Sequence, residues 1–438
     1  MYSWAHVNVP TLLPSEGVSN QLHLFDVSTN QVIPVGPTEG AARMYVCGIT
    51  PYDATHLGHA ATYLAFDSVQ RAWRDAGITV HYAQNVTDVD DPLLERADKT
   101  GVDWRVLAED QTNLFRGDMQ ALRILPPDAY VRVQDIIPET VSAIGQLLEQ
   151  GIAYRVPIAA DATPAPVDAD ACDLYFDRRA AEDLDGVFPL GTVSQFDDVE
   201  LDRVFREFGG DPERPGKRDP FDPLLWRAAR EGEPAWETHF GAGRPGWHVE
   251  CAIIANAELG THITLQGGGR DLRFPHHEMS AQHASAVTGE PFATRYAHAG
   301  LIAYDGEKMS KSLGNLVLVS KLRERGVDPR AIRLAILAHR YREDWEWTEE
   351  GLQDAIARLE RWCARVVTLP ETAQAEKLEG PVMAALREAM ADDLDTPRML
   401  EIVDAWVAAE PQLTDETSQA DAYGVPLLID ALLGIQLR

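Results

Sequence analysis

Only four cysteines occur in 438 residues, too few and too scattered for a disulfide framework. Free or metal-bound thiols in a reducing compartment are expected instead, which makes the cytoplasm the expected location. No run approaches about eighteen consecutive apolar residues, so no membrane-spanning helix is predicted. The opening MYSWAHVNVP has no basic stretch followed by an apolar one, and no signal peptide is expected. Basic residues are also scarce: 39 Lys and Arg face 69 Asp and Glu, a net charge of −30. A protein that grips a polyphosphate backbone draws affinity from a basic contact surface. From residue 321 onward 14 basic residues stand against 23 acidic ones, a local net of −9. That balance argues against a large nucleic-acid partner. No internal repeat is present.

What is present is ordinary for a globular chain: 45% apolar and 25% charged residues, enough to bury a large core. Met44 to Cys47 predicts a short buried strand, followed by Gly48 and a Thr50-Pro51 turn. A helix is predicted from about Gly58 to Asp75, with Leu64, Val69, Ala72 and Trp73 at helical spacing and Gly77 closing it. Ile78 to Val86 predicts a second strand. Strand, helix and strand make a βαβ unit, so the expected fold class is α/β, a doubly wound parallel sheet of Rossmann type. Ligands of such sheets bind beyond the carboxyl ends of the strands, where the loop from Cys47 to His59 would lie.

Further along, His262 to Leu265 predicts a strand entering a glycine loop. Pro275 to Ala286 predicts a helix, and Tyr296 to Ala303 another strand. The stretch Pro157–Asp173, rich in Pro, Ala and Asp, predicts a flexible excursion. The chain is divided into a first half of the catalytic domain (1–124), an insertion (125–240), a second half (241–320) and a C-terminal helical domain (321–438). In the last, Leu352, Ile356, Leu359, Trp362, Cys363 and Val366 form one apolar face.

Several short words carry chemistry. Lys308-Met309-Ser310-Lys311-Ser312 sets two lysines around a turn before Gly314, which suits a loop closing over phosphates and neutralising a departing pyrophosphate. His56-Leu57-Gly58-His59 falls at the strand-to-helix turn, where free backbone N–H groups and the helix dipole favour an anion. Cys47, Cys251 and His276 are dispersed, and each alone reads equally as a buried thiol or a hydrogen-bonded histidine. Their local words, CGITPYD, GWHVEC and FPHHE, place each at an element end, and thiolate with imidazole selects zinc over hard cations. Gly267-Gly268-Gly269-Arg270-Asp271 predicts a nucleotide-edge loop in which Asp271 accepts from ribose hydroxyls. Trp247, four residues before Cys251, either walls the amino-acid pocket or packs in the core. Cys172 and Cys363 read as structural. Glu207–Pro212 and Arg214–Lys217 read as a glycine-bearing loop without assigned chemistry.

Taken together, CGITPYDATHLGH, GWHVEC, GGGRDLRFPHHE and KMSKS resemble class I aminoacyl-tRNA synthetases of the cysteine-specific type over roughly residues 40–320. Some words depart from that pattern. HHEMS places Ser280 where those synthetases carry a fourth, glutamate ligand; CGITPYD stands for CGPTVYD; and only 118 residues, acidic on balance, follow Ser320. These variants, with a short tail and a word similar to FGGDPxRPGK, resemble the related ligases of mycothiol biosynthesis. In that family's ERGGDP word, Phe208 here stands for arginine.

The resemblance implies ATP-dependent ligation of L-cysteine to the amine of glucosaminyl-inositol through a cysteinyl-adenylate. It implies one Zn2+ on Cys47, Cys251 and His276, and ATP with Mg2+ handled by His56, His59, Lys308 and Lys311. Contacts to cysteinyl-adenylate are implied at Cys47, Gly48, Ile49, Thr50, Thr62, Asn85, Val86, Thr87, Trp247, Gly269, Arg270, Asp271 and Ile302. The expected protein is a monomer acting on small molecules without tRNA or membrane. With Ser280 in place of a carboxylate, three protein ligands would leave one position for the substrate thiolate. A soft metal so placed separates cysteine from serine, which a hydrophobic pocket would not. The rivals are a cysteinyl-tRNA synthetase and a non-catalytic zinc-binding paralogue.

Overall fold

The computed structural model describes residues 1–12, 21–53, 55–159, 162–309, 314–367, 380–409 and 416–438. A hairpin of β1 (His23–Asp26) and β2 (Gln31–Pro34) precedes the main sheet. β3 (Ala42–Ile49), α1 (Leu57–Asp75) and β4 (Val80–Val86) then form a parallel βαβ unit. The chain continues through α2 (Asp91–Thr100) and α3 (Trp104–Ala121) to β5 (Ala129–Arg132), which pairs in parallel with β4. This edge strand lies within the stretch 125–240 read from the sequence as an insertion. After α4 (Ile137–Glu149) a second, antiparallel sheet follows: β6 (Ala153–Pro157), β7 (Cys172–Phe176), β8 (Leu224–Ala228) and β9 (Gly243–Pro245). Between β7 and β8 stand the helices α5 (Arg178–Ala181) and α6 (Asp198–Glu207).

The chain then returns to the first sheet through α7 (Trp247–Leu259), β10 (Leu265–Gly269), α8 (Glu278–Thr288) and β11 (Tyr296–Ala299). The order β11-β10-β3-β4-β5, parallel throughout, puts the first-made strand at the centre with later strands on both sides. The direction of winding therefore reverses between β3 and β10, and the gap at their carboxyl ends is where such sheets bind ligands.

The glycines predicted as a loop are strand residues. A Cβ at Gly267 would lie 2.3 Å from the Phe66 ring of α1, and one at Gly268 would lie 2.6 Å from the His277 ring. Close packing of helices on the strand, rather than a turn, is what requires glycine there. Tyr296–Ala303 is two strands. β12 (Ile302–Tyr304) leaves the main sheet and joins β13 (Glu307–Lys308) and β14 (Trp345–Glu346). α8 is led in by a wide turn, Arg273–His277, in which Phe274 alone has an extended backbone (φ −141°, ψ 139°), so helical geometry resumes at Pro275, where the sequence placed the start of a helix.

α9 (Val319–Glu324), α10 (Pro329–Leu337), α11 (Glu349–Val367), α12 (Pro381–Ala391), α13 (Thr396–Ala408) and α14 (Glu416–Leu428) complete the chain. Their apolar faces share one core with α1 and β3, including Trp73, Trp362 and Leu433. A buried charge cluster runs through this contact. Asp67 of α1 accepts from Arg71 Nε at 2.8 Å, from the Leu125 N–H at 2.8 Å and from Arg333 of α10. Arg71 donates on to the carbonyls of Asp430 and Ala431, and Arg333 to those of Leu122 and Leu433. Burial opposes ionisation of Asp67, but the charges of Arg333 and Arg71 hold its carboxyl below the usual value. No helix among the described residues is long and apolar enough to cross a membrane.

Removing Asp67 strands two guanidinium groups away from water. Asp67→Ala is expected to cost about 3–5 kcal/mol in urea denaturation. Lys99→Ala, at a pair on the exposed face of α2, should leave the midpoint nearly unchanged.

Candidate active site

A cleft of about 980 Å3 opens at the carboxyl ends of β3 and β10, and its lining comes from both sheets. Cys47 ends the buried part of β3, Cys251 lies one turn into α7, and His276 lies in the wide turn before α8. Their sulfur and nitrogen atoms all fall within 4.8 Å of one another, and all three residues are buried. Cys47 Sγ is 3.9 Å from Cys251 Sγ, which is 3.1 Å from His276 Nε2. Two thiolates on a tetrahedral ion with 2.3 Å bonds stand about 3.8 Å apart, so the set can hold a soft metal ion.

The surroundings prepare these donors. Burial alone would raise the Cys251 thiol, yet its hydrogen bond with Cys47 and the charge of His276 hold its pKa well below the usual value. Burial and the bond with Cys251 push the Cys47 thiol up. His248 Nδ1 lies 3.1 Å from His276 Nδ1, and burial holds the His248 pKa well below its usual value, so it stays neutral and can accept. Such a bond fixes the His276 tautomer that presents Nε2 to Cys251. The half-buried Trp247 ring stacks on His276 at 4.3 Å between centroids and lines the cleft rather than the core. Ser280 is fully buried on α8, and its hydroxyl has no hydrogen-bond partner among the described residues.

His56 caps α1. Its Nδ1 accepts from the Gly58 N–H at 3.1 Å, which leaves Nε2 as the proton-bearing nitrogen of the neutral ring. The His59 ring stacks on it at 3.9 Å. Both line the cleft, as do Gly48, Ile49, Thr50, Thr62, Asn85, Thr87, Gly269, Asp271 and Ile302. Asn85 mainly ties β3 to β4: its Oδ1 accepts from the Gly48 N–H at 2.7 Å and the Tyr45 hydroxyl at 3.0 Å, and its Nδ2 donates to Thr87. Two residues named from the sequence point elsewhere. Val86 is buried in the apolar core, and Arg270 pairs with Asp344 at 2.8 Å and the Arg342 carbonyl. Lys308 ends β13, and Lys311 with its two serines lies outside the described residues.

The sequence missed other lining residues. Asp90 borders the cleft, its carboxyl pushed up to about 6 by burial and by neighbouring Asp91. Asp173, Tyr175 and the turn from Phe208 to Arg214 form the opposite wall. No motif announces Asp90, Asp173 or Tyr175, whereas the turn after α6 lies in the glycine-bearing words noted from the sequence, there without a role.

Residues 35–357 match the model of the tRNA synthetases class I (C) catalytic domain. A protein of Clavibacter sepedonicus, named L-cysteine:1D-myo-inositol 2-amino-2-deoxy-alpha-D-glucopyranoside ligase, is 56% identical over 94% of this chain and 99% of its own. A Micrococcus luteus protein of the same name is 54% identical over the full length of both. The chain belongs to this ligase family. Its members share the class I fold: methionyl-tRNA synthetase of Mycobacterium tuberculosis, bound to methionyl-adenylate, superposes with a TM-score of 0.59 at 16% identity. That likeness covers 90% of this chain and 92% of the synthetase. Leucyl-tRNA synthetase of Agrobacterium radiobacter gives 0.58 at 11% identity, over 91% and 84%.

For the family's site as built here, Cys251→Ser should lower the metal retained after dialysis at least tenfold, measured by plasma mass spectrometry. His248→Phe keeps all three ligands but frees the His276 ring, and metal affinity should fall about 10–100-fold.

Proposed function

We propose that this protein joins L-cysteine to the amine of glucosaminyl-inositol, using ATP and releasing AMP and pyrophosphate. The observation that carries this reading is the meeting of Cys47, Cys251 and His276 with the His56–His59 turn in one cleft. A thiol-binding metal set beside an anion-binding helix start fits cysteine activation better than either element alone. The full-length likeness to ligases of that name supplies the acceptor.

In the first step a carboxylate oxygen of cysteine attacks the α-phosphorus of ATP, and the bond to the β-phosphate bridge breaks. His56 Nε2–H and the positive end of the α1 dipole act on the α-phosphate, where negative charge builds. Lys308 and Lys311 neutralise the departing pyrophosphate with Mg2+. Asp271 accepts from ribose hydroxyls beside Gly269, and Thr50, Thr62, Thr87 and Ile302 hold the adenylate in place. In the second step the acceptor's neutral amine attacks the adenylate carbonyl, the bond from the carbonyl carbon to the phosphate oxygen breaks, AMP leaves, and the amine's extra proton passes to water. Zinc, held by Cys47, Cys251 and His276, would supply a soft Lewis acid that favours a thiolate over an alcohol. His248 and Trp247 hold His276 in position. Much of the catalysis is then positioning and charge stabilisation.

The reading also takes small molecules rather than tRNA as partners, which the net charge of −30 supports. Purified protein with cysteine and ATP should release AMP in the presence of glucosaminyl-inositol and not of tRNA. AMP release with cysteine tRNA would establish the synthetase instead, and none with either acceptor would leave a binding protein. Lys311→Ala should slow cysteine-dependent ATP–pyrophosphate exchange about 100-fold or more while changing the cysteine Kd little, since it acts on developing charge.

A further inference from the structure

The cleft has two chemically different walls. The parallel-sheet wall carries the thiol, nucleotide and phosphate groups assigned above. The facing wall comes from β7 and the turn after α6, and cysteine activation leaves it unused. With about 980 Å3 the cleft is at the upper end of the roughly 300–1,000 Å3 usual for ligand sites, which suits a second substrate beside the adenylate.

That facing wall is rigid and polar. Gly209, at φ +85°, turns the chain at the end of α6 and brings Asp211 and Arg214 to the cleft. Asp211 accepts from Lys217 Nζ at 2.9 Å and from the Tyr175 hydroxyl at 2.5 Å, while Lys217, almost fully buried, also donates to the Pro220 carbonyl at 2.7 Å. Arg214 Nη2 donates to buried Asp173 at 2.6 Å, and its guanidinium lies 5.3 Å from the Tyr175 ring centre. Asp173 is satisfied without it, because Arg230 donates to both its oxygens at 2.9 and 3.0 Å. One of five guanidinium N–H groups of Arg214 is thus engaged, and each Asp211 oxygen keeps a second lone pair. Asp211 and Arg214 keep 40% and 23% of their side chains exposed, and the half-buried Phe208 ring borders them.

We infer that the turn from Phe208 to Arg214 is the acceptor subsite, with Asp211 and Arg214 binding hydroxyl groups and Phe208 covering a ring face of an amino-polyol. Paired charges make the wall locally balanced, which suits a hydroxyl-rich amine better than a phosphorylated one. A carboxylate and a guanidinium, each held by a neighbour, can accept from and donate to adjacent hydroxyls without losing side-chain freedom on binding. The inference rests on the ligase reading and supplies the residues that reading leaves unassigned.

Arg214→Gln leaves Asp173 paired with Arg230 and should fold, while Asp211→Asn keeps an oxygen for Tyr175 but takes the carboxylate from buried Lys217, so its urea midpoint is measured beside its kinetics. Each should raise the KM for glucosaminyl-inositol about tenfold or more, followed as AMP release, consistent with loss of a hydrogen bond to a charged group. Phe208→Ala should do so as well. Cysteine-dependent ATP–pyrophosphate exchange, with its KM values for cysteine and ATP, should stay at the wild-type level in all three. An unchanged acceptor KM, or exchange falling in step with the overall reaction, would overturn the assignment. Failure of the underlying reading is distinguishable: the wild-type protein itself would then form no amide from glucosaminyl-inositol.

Discussion

Two thiols and an imidazole from three separate elements are packed within 4.8 Å, away from water. Such a group is costly to bury in any mixture of charged and neutral forms unless something shares the charge. Without a cation, Cys251 ionises easily and Cys47 resists, because each answers to the other's charge. A cation held between the two sulfur atoms would share that charge. Much of the surrounding architecture serves this meeting. β3 brings Cys47 to the carboxyl end of the sheet, α7 follows the antiparallel sheet closely enough to bring Cys251 beside it, and the extended backbone at Phe274 places His276 before α8 begins. The segment of about 200 residues between Cys47 and Cys251 therefore closes on a single small volume.

The antiparallel sheet gains its place in the reaction from that closure. Its inner side packs Leu174, Phe176 and Trp226 into the core that also holds Cys47 and Cys251. Alternation along β7 turns Asp173 and Tyr175 the other way, toward the cleft. One strand thus supports the activating site with one set of side chains and walls the second substrate's space with the other. The proposed division of labour between the two walls follows from this period of two.

The sequence made the first βαβ unit legible because its signals are local: an apolar strand, a histidine-capped helix and a closing glycine. The three candidate metal ligands were legible only as words, since nothing in spacing joins residues 47, 251 and 276. The glycine run was read as a loop because its reason lies in the rings of Phe66 and His277, which are distant in sequence. His248 was hidden in the same word as Cys251, its role depending on which nitrogen faces His276. Asp211 and Arg214 stood in words noted from the sequence but without a role, for their meaning lies in partners 36 and 41 residues away on β7. Non-local packing explains these misses.

The Asp67 cluster joins the earliest part of the catalytic domain to the end of the chain. Arg71 sits in α1, the first helix made, yet the carbonyls that complete its hydrogen bonding belong to Asp430 and Ala431. Those carbonyls lie 359 and 360 residues further along the chain. The packing of α1 is therefore complete only when residues 430 and 431 are in place, so a change at either end of this contact is felt at the other.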